Sequence, residues 1–297
     1  MFKDMKIEGK IKWGFGVVLG LLAVVAAVTI YSLWSVSSNF EKYSASSALS
    51  SHLQDFQSDM RETRLAVMRF KGSPSEKIHL AAMEAFKPTN ESLVNLEKLL
   101  TTDKDKELFK NLQDQWTKYM ASYDEYSKLR LLQTATYDNS IVPQAAKLAK
   151  VADQMLEDAR RSKSVEVYTV SAGLLKHLVT MRLLVARFII DNKQDYVDAY
   201  KTEFEAFGKS LDALGNVKGY SGTARDADSQ RQDYGKAVNE FVKYSFDSNA
   251  SWDRTAQFGP IMAKFTDDWV TERLDSMKKL DAEITAASSR AQGIAVV

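Results

Sequence analysis

Four arginines and three hydroxyl side chains are the residues of this 297-residue sequence whose types and spacing suit ligand binding. Arg64 and Arg182 each open an otherwise apolar helical stretch, where a charge is rare unless it has a negative partner. A planar guanidinium binds a carboxylate through paired hydrogen bonds. The residues predicted to bind a small organic anion are Arg61, Arg64, Arg182 and Arg254, with Thr63, Ser251 and Thr255 for a ligand hydroxyl.

Each of these residues also has a purely structural interpretation. An arginine on a bundle helix is commonly solvated or paired with a nearby acid such as Asp59 or Glu62. We adopt that interpretation for Arg69, Arg130 and Arg187. A hydroxyl within a helix commonly bonds to its own backbone instead of a ligand.

The composition argues against several other kinds of chemistry. The 40 basic and 39 acidic residues leave a net charge of +1, whereas a nucleic-acid-binding protein needs a basic face. No cysteine is present, and His52, His79 and His177 lack the spacing of metal ligands. The sequence also has no phosphate loop or nucleophile constellation. It therefore predicts no enzyme, no cofactor, no metal site and no nucleic-acid partner.

A three-helix unit is predicted to occur twice, at an offset of 118 residues. Residues 64–70 (RLAVMRF) return as residues 182–188 (RLLVARF). Trp116 corresponds to Tyr234, Tyr126 to Tyr244 and, shifted by one residue, Pro143 to Pro260. Four landmarks in one register indicate an internal duplication.

The chain begins with an expected membrane anchor. Residues 13–34 carry no charged side chain and are long enough to cross a bilayer. A cleaved signal peptide is the alternative, but its apolar core would span only about 7 to 15 residues. Tyr31 and Trp34 suit the membrane interface. Lysines at 3, 6, 10 and 12 place residues 1–12 in the cytoplasm and residues 35–290 outside the membrane.

Two further features concern the anchor and the far end of the chain. Gly16 and Gly20 form a small-xxx-small pair that lets two membrane helices pack closely, as in a homodimer. Residues 291–297 are small and apolar and resemble the onset of a second span. We therefore expect a truncated sensor whose cytoplasmic output module is absent from this sequence.

Apolar periodicity and helix breakers predict six helices. The first ends at Gly72, and residues 73–76 form a capping box with Pro74 at the first helical position of the second. The second extends to about Leu100, and the third runs from residue 101 to residue 161 without a strong breaker. The second copy repeats this plan, with helices at about 165–190, up to about 214, and from about 223 to the end.

Helix lengths then predict the architecture. In each copy two shorter helices add up to about one long helix, which favours an up, up, down, up, up, down path. The resulting fold is all-α, with two stacked four-helix bundles that share the two long helices. At about 1.5 Å per residue, Arg64 and Arg254 would lie about 45 to 55 Å from the bilayer, with Arg182 at a similar height. Pro143 and Pro260 would each free one backbone carbonyl in the long helices, near Asn139 and Ala256.

These features together resemble the helical bimodular sensor domain of bacterial methyl-accepting chemotaxis receptors, especially those for tricarboxylic-acid-cycle intermediates. The resemblance covers essentially the whole chain. Its sharpest match is residues 59–65 (DMRETRL), which resemble the family's Asp-apolar-Arg-x-x-Arg-Leu at the ligand pocket of the membrane-proximal bundle. Arg182 and Arg254 correspond to that pocket's other arginines. Trp252 and Asp253 depart from the small hydroxyl residues usual there.

The resemblance implies a homodimeric inner-membrane receptor whose periplasmic domain binds a C4-dicarboxylate or a related acid and signals in chemotaxis. The input half of a membrane histidine kinase is one alternative, and a membrane-anchored helical scaffold that binds protein is another. The sequence does not specify which acid is preferred, whether a second pocket in the distal bundle binds a ligand, or the sign of the response.

Overall fold

Helices account for nearly all of the structure, a computed structural model that describes residues 7–295, with side chains except those of residues 8–10, 162 and 291–295. No strand occurs among the described residues. The helices are α1 (Ile7–Gly72), α2 (Glu76–Glu97), α3 (Asp103–Thr136), α4 (Val142–Ser162), α5 (Val165–Asp191), α6 (Gln194–Gly215) and α7 (Ser221–Ala295). A π-helical turn, Tyr137–Ile141, joins α3 to α4 without a break. Counted as continuous rods, the described helices number six, which confirms the predicted all-α class.

The predicted breaks between helices are found, with one change in capping. The Ser75 hydroxyl accepts the Ile78 N–H at 3.4 Å, and the Ser75 carbonyl accepts the His79 N–H at 2.9 Å. Ser75 therefore caps α2, and the predicted capping box with Pro74 as the first helical residue is wrong by two positions. At the end of α5, Asn192 adopts the left-handed conformation (φ 52°) and donates its N–H to the Phe188 carbonyl at 2.8 Å.

Helix boundaries confirm the duplication. Residues 76–97 form α2 and residues 194–215 form α6, so both ends differ by 118 residues. The first residues of α3 and α7, Asp103 and Ser221, differ by the same number. Corresponding positions are also buried in both copies, for example residues 67 and 185, 70 and 188, 93 and 211, and 96 and 214.

The predicted up, up, down path is wrong, because consecutive helices run in opposite directions. Thr63 bonds to Thr89, while the earlier Asp59 bonds to the later Ser92, so α1 and α2 are antiparallel. In the same way Gly173 faces Ser210 and His177 bonds to Glu203, so α5 and α6 are antiparallel. The links of three residues (73–75) and two residues (192–193) reverse the chain. The prediction from helix lengths did not consider that an antiparallel helical hairpin also buries the apolar faces of both of its helices.

Two compact units make up the chain. The first contains residues up to Arg64, residues 85–116 and the chain from Pro260 onward. Its core comes from α1, α2, α3 and α7, with Leu53, Phe56, Leu96, Leu112 and Trp269 nearly inaccessible to solvent. The second unit contains residues 65–84 and 117–259. Its main core is built by α4 to α7, so each unit has four principal helices.

The apolar start of α1 is exposed. Among the described residues only this helix is long and apolar enough to cross a membrane, by length and composition. Its most apolar 18-residue window has a mean hydropathy of 2.4 and is 6% buried. Val18, Leu22, Tyr31 and Trp34 all face outward. These properties agree with the predicted span at residues 13–34. Lys3 and Lys6 lie outside the described residues, and the side chains of Lys10 and of residues 291–297 are not described.

Close packing of α6 on α7 in the second unit depends on Gly235. A Cβ atom at this position would lie 2.6 Å from two ring carbons of Phe204. That separation is too short for a non-bonded contact between carbon atoms, so the close approach of the two helices requires glycine at this position. The Phe204 ring is also held by the Arg231 guanidinium, whose central carbon lies 4.4 Å from the ring centroid.

We predict that Gly235→Ala lowers the free energy of unfolding by about 1 to 3 kcal/mol, because the added methyl group forces Phe204 or α6 to move. Gly222→Ala is the matched control, since a Cβ there meets nothing within 4 Å. It should change stability by less than about 0.5 kcal/mol. Urea unfolding followed by circular dichroism measures both. Equal stability of the two variants would contradict the packing described for Gly235.

In the first unit α3 and α7 are joined by a buried ion pair. Asp105 is fully buried, and its carboxylate accepts hydrogen bonds from Arg273 and, at 3.3 Å, from the indole N–H of Trp269. Thr102 donates its hydroxyl hydrogen to the same carboxylate at 2.7 Å. Three donors around one carboxylate offset the cost of removing its charge from water.

We predict that Asp105→Ala destabilises the chain by about 3 to 5 kcal/mol, because it leaves the Arg273 charge buried without its partner. The neighbouring Lys104–Glu272 pair, with a separation of 2.5 Å, is largely exposed. Glu272→Ala should therefore cost less than about 1 kcal/mol. Thermal unfolding compares the two variants, and a Glu272→Ala effect as large as that of Asp105→Ala would argue against burial as the cause.

Candidate ligand-binding site

The predicted site residues of the first unit lie near the end of α1. Arg61 is exposed and Arg64 is half-buried. Thr63, between them, is fully buried and donates its hydroxyl hydrogen to the Ala85 carbonyl at 2.6 Å. It also lies 2.9 Å from the Thr89 hydroxyl. Thr63 thus ties α1 to α2, and its hydroxyl is already bonded to protein.

Three other predicted residues lie on α7 in the second unit. Arg254 is exposed and donates to the Glu125 carboxylate at 2.6 Å. Ser251 is buried and donates to the Ser122 carbonyl at 3.1 Å. The Ser122 hydroxyl lies 2.8 Å from the hydroxyl of Thr255, which is also buried. Ser251 and Thr255 therefore hold α7 against α3. This agrees with the structural interpretation, in which these hydroxyls bond to the protein and not to a ligand.

Arg182 is the predicted residue that lies at a cavity. The cavity has a volume of about 330 Å³ and belongs to the second unit. It is lined by residues from the π turn, α4, α5 and α7: Tyr137, Ile141, Val142, Ala145, Val179, Arg182, Leu183, Val185, Ala186 and Tyr234. We call it the Arg182 cavity. Most of its lining residues are aliphatic or aromatic, but polar atoms present nearly as much surface to it as apolar atoms, and Arg182 is the one charged side chain among them.

The expected convergence of Arg182 with Arg254 in one interior pocket is wrong. Arg182 shares its cavity with Tyr234, and Tyr234 precedes Arg254 by twenty residues of the same helix, α7. At about 1.5 Å per residue, these two levels of α7 are about 30 Å apart. The expectation failed because the height assigned to Arg182 assumed the up, up, down path, in which α5 would run in the opposite direction. Arg61, Arg182 and Arg254 are also exposed, not interior.

A helical irregularity forms one wall of the Arg182 cavity. The Val142 N–H donates to the Tyr137 carbonyl, five residues back instead of four, and this bond closes the π turn. Pro143 has no N–H, so it cannot make the usual bond to the Asn139 carbonyl. The sequence prediction of a freed carbonyl near Asn139 fits this turn. Such π turns frequently occur at functional sites.

Tyr234 supplies an unpartnered polar group to the same cavity. Its side chain is fully buried, and its hydroxyl has no hydrogen-bond partner among the described residues. Burial raises the pKa of Tyr234, while the nearby Arg182 charge acts in the opposite direction. The phenol therefore stays protonated at neutral pH and is available as a donor. Gln144, next to the lining residue Ala145, also has a buried side-chain oxygen without a partner in the described chain.

The duplication explains why this hydroxyl lacks a partner. In the first copy Trp116 occupies the corresponding position, and its indole N–H donates to Asn90 at 2.7 Å. The position corresponding to Asn90 is Gly208, which has no side chain and packs against Arg231. A buried donor without a partner costs free energy unless water or a ligand accepts its hydrogen bond. The missing partner of Tyr234 becomes visible only when the register of the duplication is combined with the three-dimensional structure, so it was not predicted from the sequence.

A shallower groove adjoins the cavity at Arg182. It is lined by polar residues of α4: Lys150, Asp153, Gln154 and Glu157. Glu157 is bonded to Arg161 at 3.2 Å, and no ion pair of Arg182 is found in the part of the chain that the structure describes. The Arg182 guanidinium is thus available to a negative ligand. Among the described residues no group of acidic or histidine side chains is placed to hold a metal ion.

Comparison with known proteins identifies the class. The family described as "Four helix bundle sensory module for signal transduction" matches residues 4–162, more than half of the chain. The chain belongs to this family of sensory modules of chemotaxis receptors. It is a membrane-anchored sensory protein with an extracellular helical domain, and the family is not a class of enzymes. No curated protein matches the chain.

The family match ends at residue 162, the last residue of α4. It therefore includes the first copy of the three-helix unit and not the second. In the first unit the fourth helix is α7, which belongs to the second copy. The Arg182 cavity is therefore lined partly by residues outside the family match, on α5 and α7.

We predict that Tyr234→Phe leaves the free energy of unfolding unchanged or raises it by up to about 2 kcal/mol, because it removes a buried hydroxyl that has no partner. Asn90→Ala breaks the corresponding bond of the first copy and should cost about 1 kcal/mol. Chemical unfolding of both variants without added ligand tests this difference. A clear loss of stability in Tyr234→Phe would mean that the hydroxyl is already satisfied.

Proposed function

We propose that this protein is a chemoreceptor sensor of the helical bimodular kind, which binds a small organic acid outside the cell and signals across the membrane. The ligand belongs to the C4-dicarboxylates or related acids, the domain lies in the periplasm of a bacterium, and the receptor works as a homodimer anchored in the inner membrane. A cytoplasmic signalling domain receives the signal and directs chemotaxis.

The observation that carries this proposal is the pairing of a free guanidinium with an unsatisfied hydroxyl at one cavity. Arg182 and Tyr234 both line it; Arg182 is exposed, whereas the Tyr234 hydroxyl is buried and is reached by a ligand only after a local side-chain shift. Charge-assisted hydrogen bonds to a carboxylate are about twice as strong as neutral ones, and low-dielectric walls strengthen them further. An organic acid bound to Arg182 would satisfy both groups once that shift has occurred.

We propose that Arg61, Arg64 and Arg254 form one or more binding surfaces separate from the Arg182 cavity. Arg61 and Arg64 belong to the motif that resembles the family's pocket, and Thr63 holds their segment of α1 on α2. Arg254 would have to exchange Glu125 for a ligand carboxylate. Both side chains of that pair are about half exposed, so breaking it should cost less than about 1 kcal/mol. Ser251 and Thr255 position this stretch of α7 on α3.

Signal transmission is proposed to use α7, which contributes Tyr234 to the cavity and continues as a helix to Ala295. A ligand held between α5 and α7 would favour one arrangement of these helices over another. It can shift the balance only by its difference in affinity for the two arrangements. The exposed glycines Gly16 and Gly20 of α1 offer a surface on which two anchors could pack in the dimer.

Isothermal titration calorimetry of the detergent-solubilised chain against malate, succinate, citrate and acetate tests the proposal. We expect saturable binding of at least one acid. The alternative, a helical scaffold that binds protein, predicts no saturable binding or thermal stabilisation by any of them. If none of these four acids binds, and no aromatic acid binds either, the proposed function is wrong.

The binding surfaces are distinguished by single substitutions. Arg182→Glu should weaken an acid bound at the Arg182 cavity by at least about tenfold, because it replaces attraction by repulsion. Arg187→Glu is the matched control on the same helix, since Arg187 is exposed and does not line the cavity. It should leave affinity within about twofold. Arg64→Glu tests the motif on α1 in the same titration.

A further inference from the structure

We infer that the Arg182 cavity takes a monocarboxylate with a flat, apolar, ring-sized body, of which benzoate is the simplest example, instead of a dicarboxylate. This inference rests on the proposed function in that the protein senses an organic acid, and at this cavity alone it replaces the C4-dicarboxylate class by a monocarboxylate. A C4-dicarboxylate would then bind at the surfaces of Arg61, Arg64 and Arg254. It concerns the ligand class of this one cavity, and it is argued from the charge, size and surface chemistry of the lining residues.

The charge of the cavity matches one carboxylate. Arg182 is the one cation among the lining residues, and the remaining polar groups are the phenols of Tyr137 and Tyr234. A single carboxylate has two oxygens, which the guanidinium and, after a local side-chain shift, the buried Tyr234 hydroxyl can satisfy. A second carboxylate would lie against aliphatic side chains or near Asp153 and Glu157 of the adjoining groove. Either position opposes a second negative charge.

The size of the cavity favours a ligand with a substantial body. Its volume is about 330 Å³, whereas one water molecule takes a share of about 30 Å³ in the liquid. Acetate would therefore leave most of the space to water beside apolar walls. A ring with one carboxylate covers those walls and places its charge at Arg182. The volume is also within the range of pockets that bind small organic ligands, about 300 to 1,000 Å³.

The walls favour an apolar and preferably aromatic body. Aliphatic groups of Ile141, Val179 and Leu183 line the cavity together with the rings of Tyr137 and Tyr234. The Tyr137 ring is fixed by a tilted contact with Phe241, with 5.9 Å between the ring centroids. Fixed aromatic side chains form offset or edge contacts with a further ring in addition to burying its surface. A hydroxylated aliphatic acid would bury its hydroxyl against these groups without a partner.

The test is calorimetric titration of the full chain with benzoate, malate, acetate and benzamide. We expect benzoate to bind at least about tenfold more tightly than malate or acetate at the Arg182 cavity. Benzamide has the same ring and shape without the charge, so it should also bind at least about tenfold more weakly than benzoate. The salt concentration is held constant, because the contact is partly electrostatic.

Three variants assign the binding to this cavity. Arg182→Gln and Tyr234→Phe should each weaken benzoate binding, by about tenfold and about threefold respectively, as charged and neutral hydrogen bonds are lost. Ala186→Phe should also weaken it, because Ala186 lines the cavity at an exposed position where a ring can fill the space without disturbing the core. Arg187→Gln should bind benzoate as the parent chain does.

The outcomes separate this inference from the proposed function. Malate or succinate binding that depends on Arg182 and is tighter than that of benzoate would overturn the inference and leave the proposed function intact. Benzoate binding that is unaffected by Arg182→Gln and Ala186→Phe would also overturn it, because the ligand would lie elsewhere. If neither benzoate nor any other acid binds, both the inference and the proposed function fail.

Discussion

The antiparallel pairing of α3 with α7 is the constraint on which the rest of the structure depends, since both units need it. In the first unit the pairing is held by the buried Asp105–Arg273 ion pair with Trp269. In the second unit it is held by small buried hydroxyls, including Ser251 with Ser122, and by the Gln133–Ser245 hydrogen bond at 2.5 Å. Directional polar contacts fix the register of two long helices more strictly than apolar contacts alone. The shorter helices then pack against α3 and α7, whose register relative to each other is already fixed.

Duplication has kept the framework and changed the polar positions. Helix ends and buried apolar positions repeat at 118 residues. Thr63 of the first copy, which bonds to α2, corresponds to the buried Met181 of the second. Trp116 and Asn90, which bond to each other, correspond to Tyr234 and Gly208, which cannot. At this pair of positions the first copy satisfies its buried donor internally, whereas the second leaves the Tyr234 hydroxyl without a partner in the described chain.

The π turn before Pro143 forms part of the wall of the Arg182 cavity. A regular helix packs its side chains at constant spacing against a neighbour, and one extra residue in the turn disturbs that spacing. Tyr137 and Ile141, the first and last residues of the turn, line the resulting space opposite α5. Arg182 lies on the solvent side of α5, so its charge reaches the cavity without the full cost of burial. Membership of a family of sensory modules gives this arrangement a functional context.

Local chemistry in the sequence was enough to predict the all-helical class, the helix ends near residues 72, 103, 165 and 192, the duplication and the apolar anchor. Each depends on periodicity, breakers or composition within short segments. The directions of the helices were not predictable from their lengths, because a short link permits reversal and packing decides it. Because packing decides the directions of the helices, the sequence indicated which arginines could bind an anion but not which of them lie close together. Only the tertiary structure separated Arg182 from Arg254, joined it to Tyr234, and showed that Thr63, Ser251 and Thr255 already bond to protein.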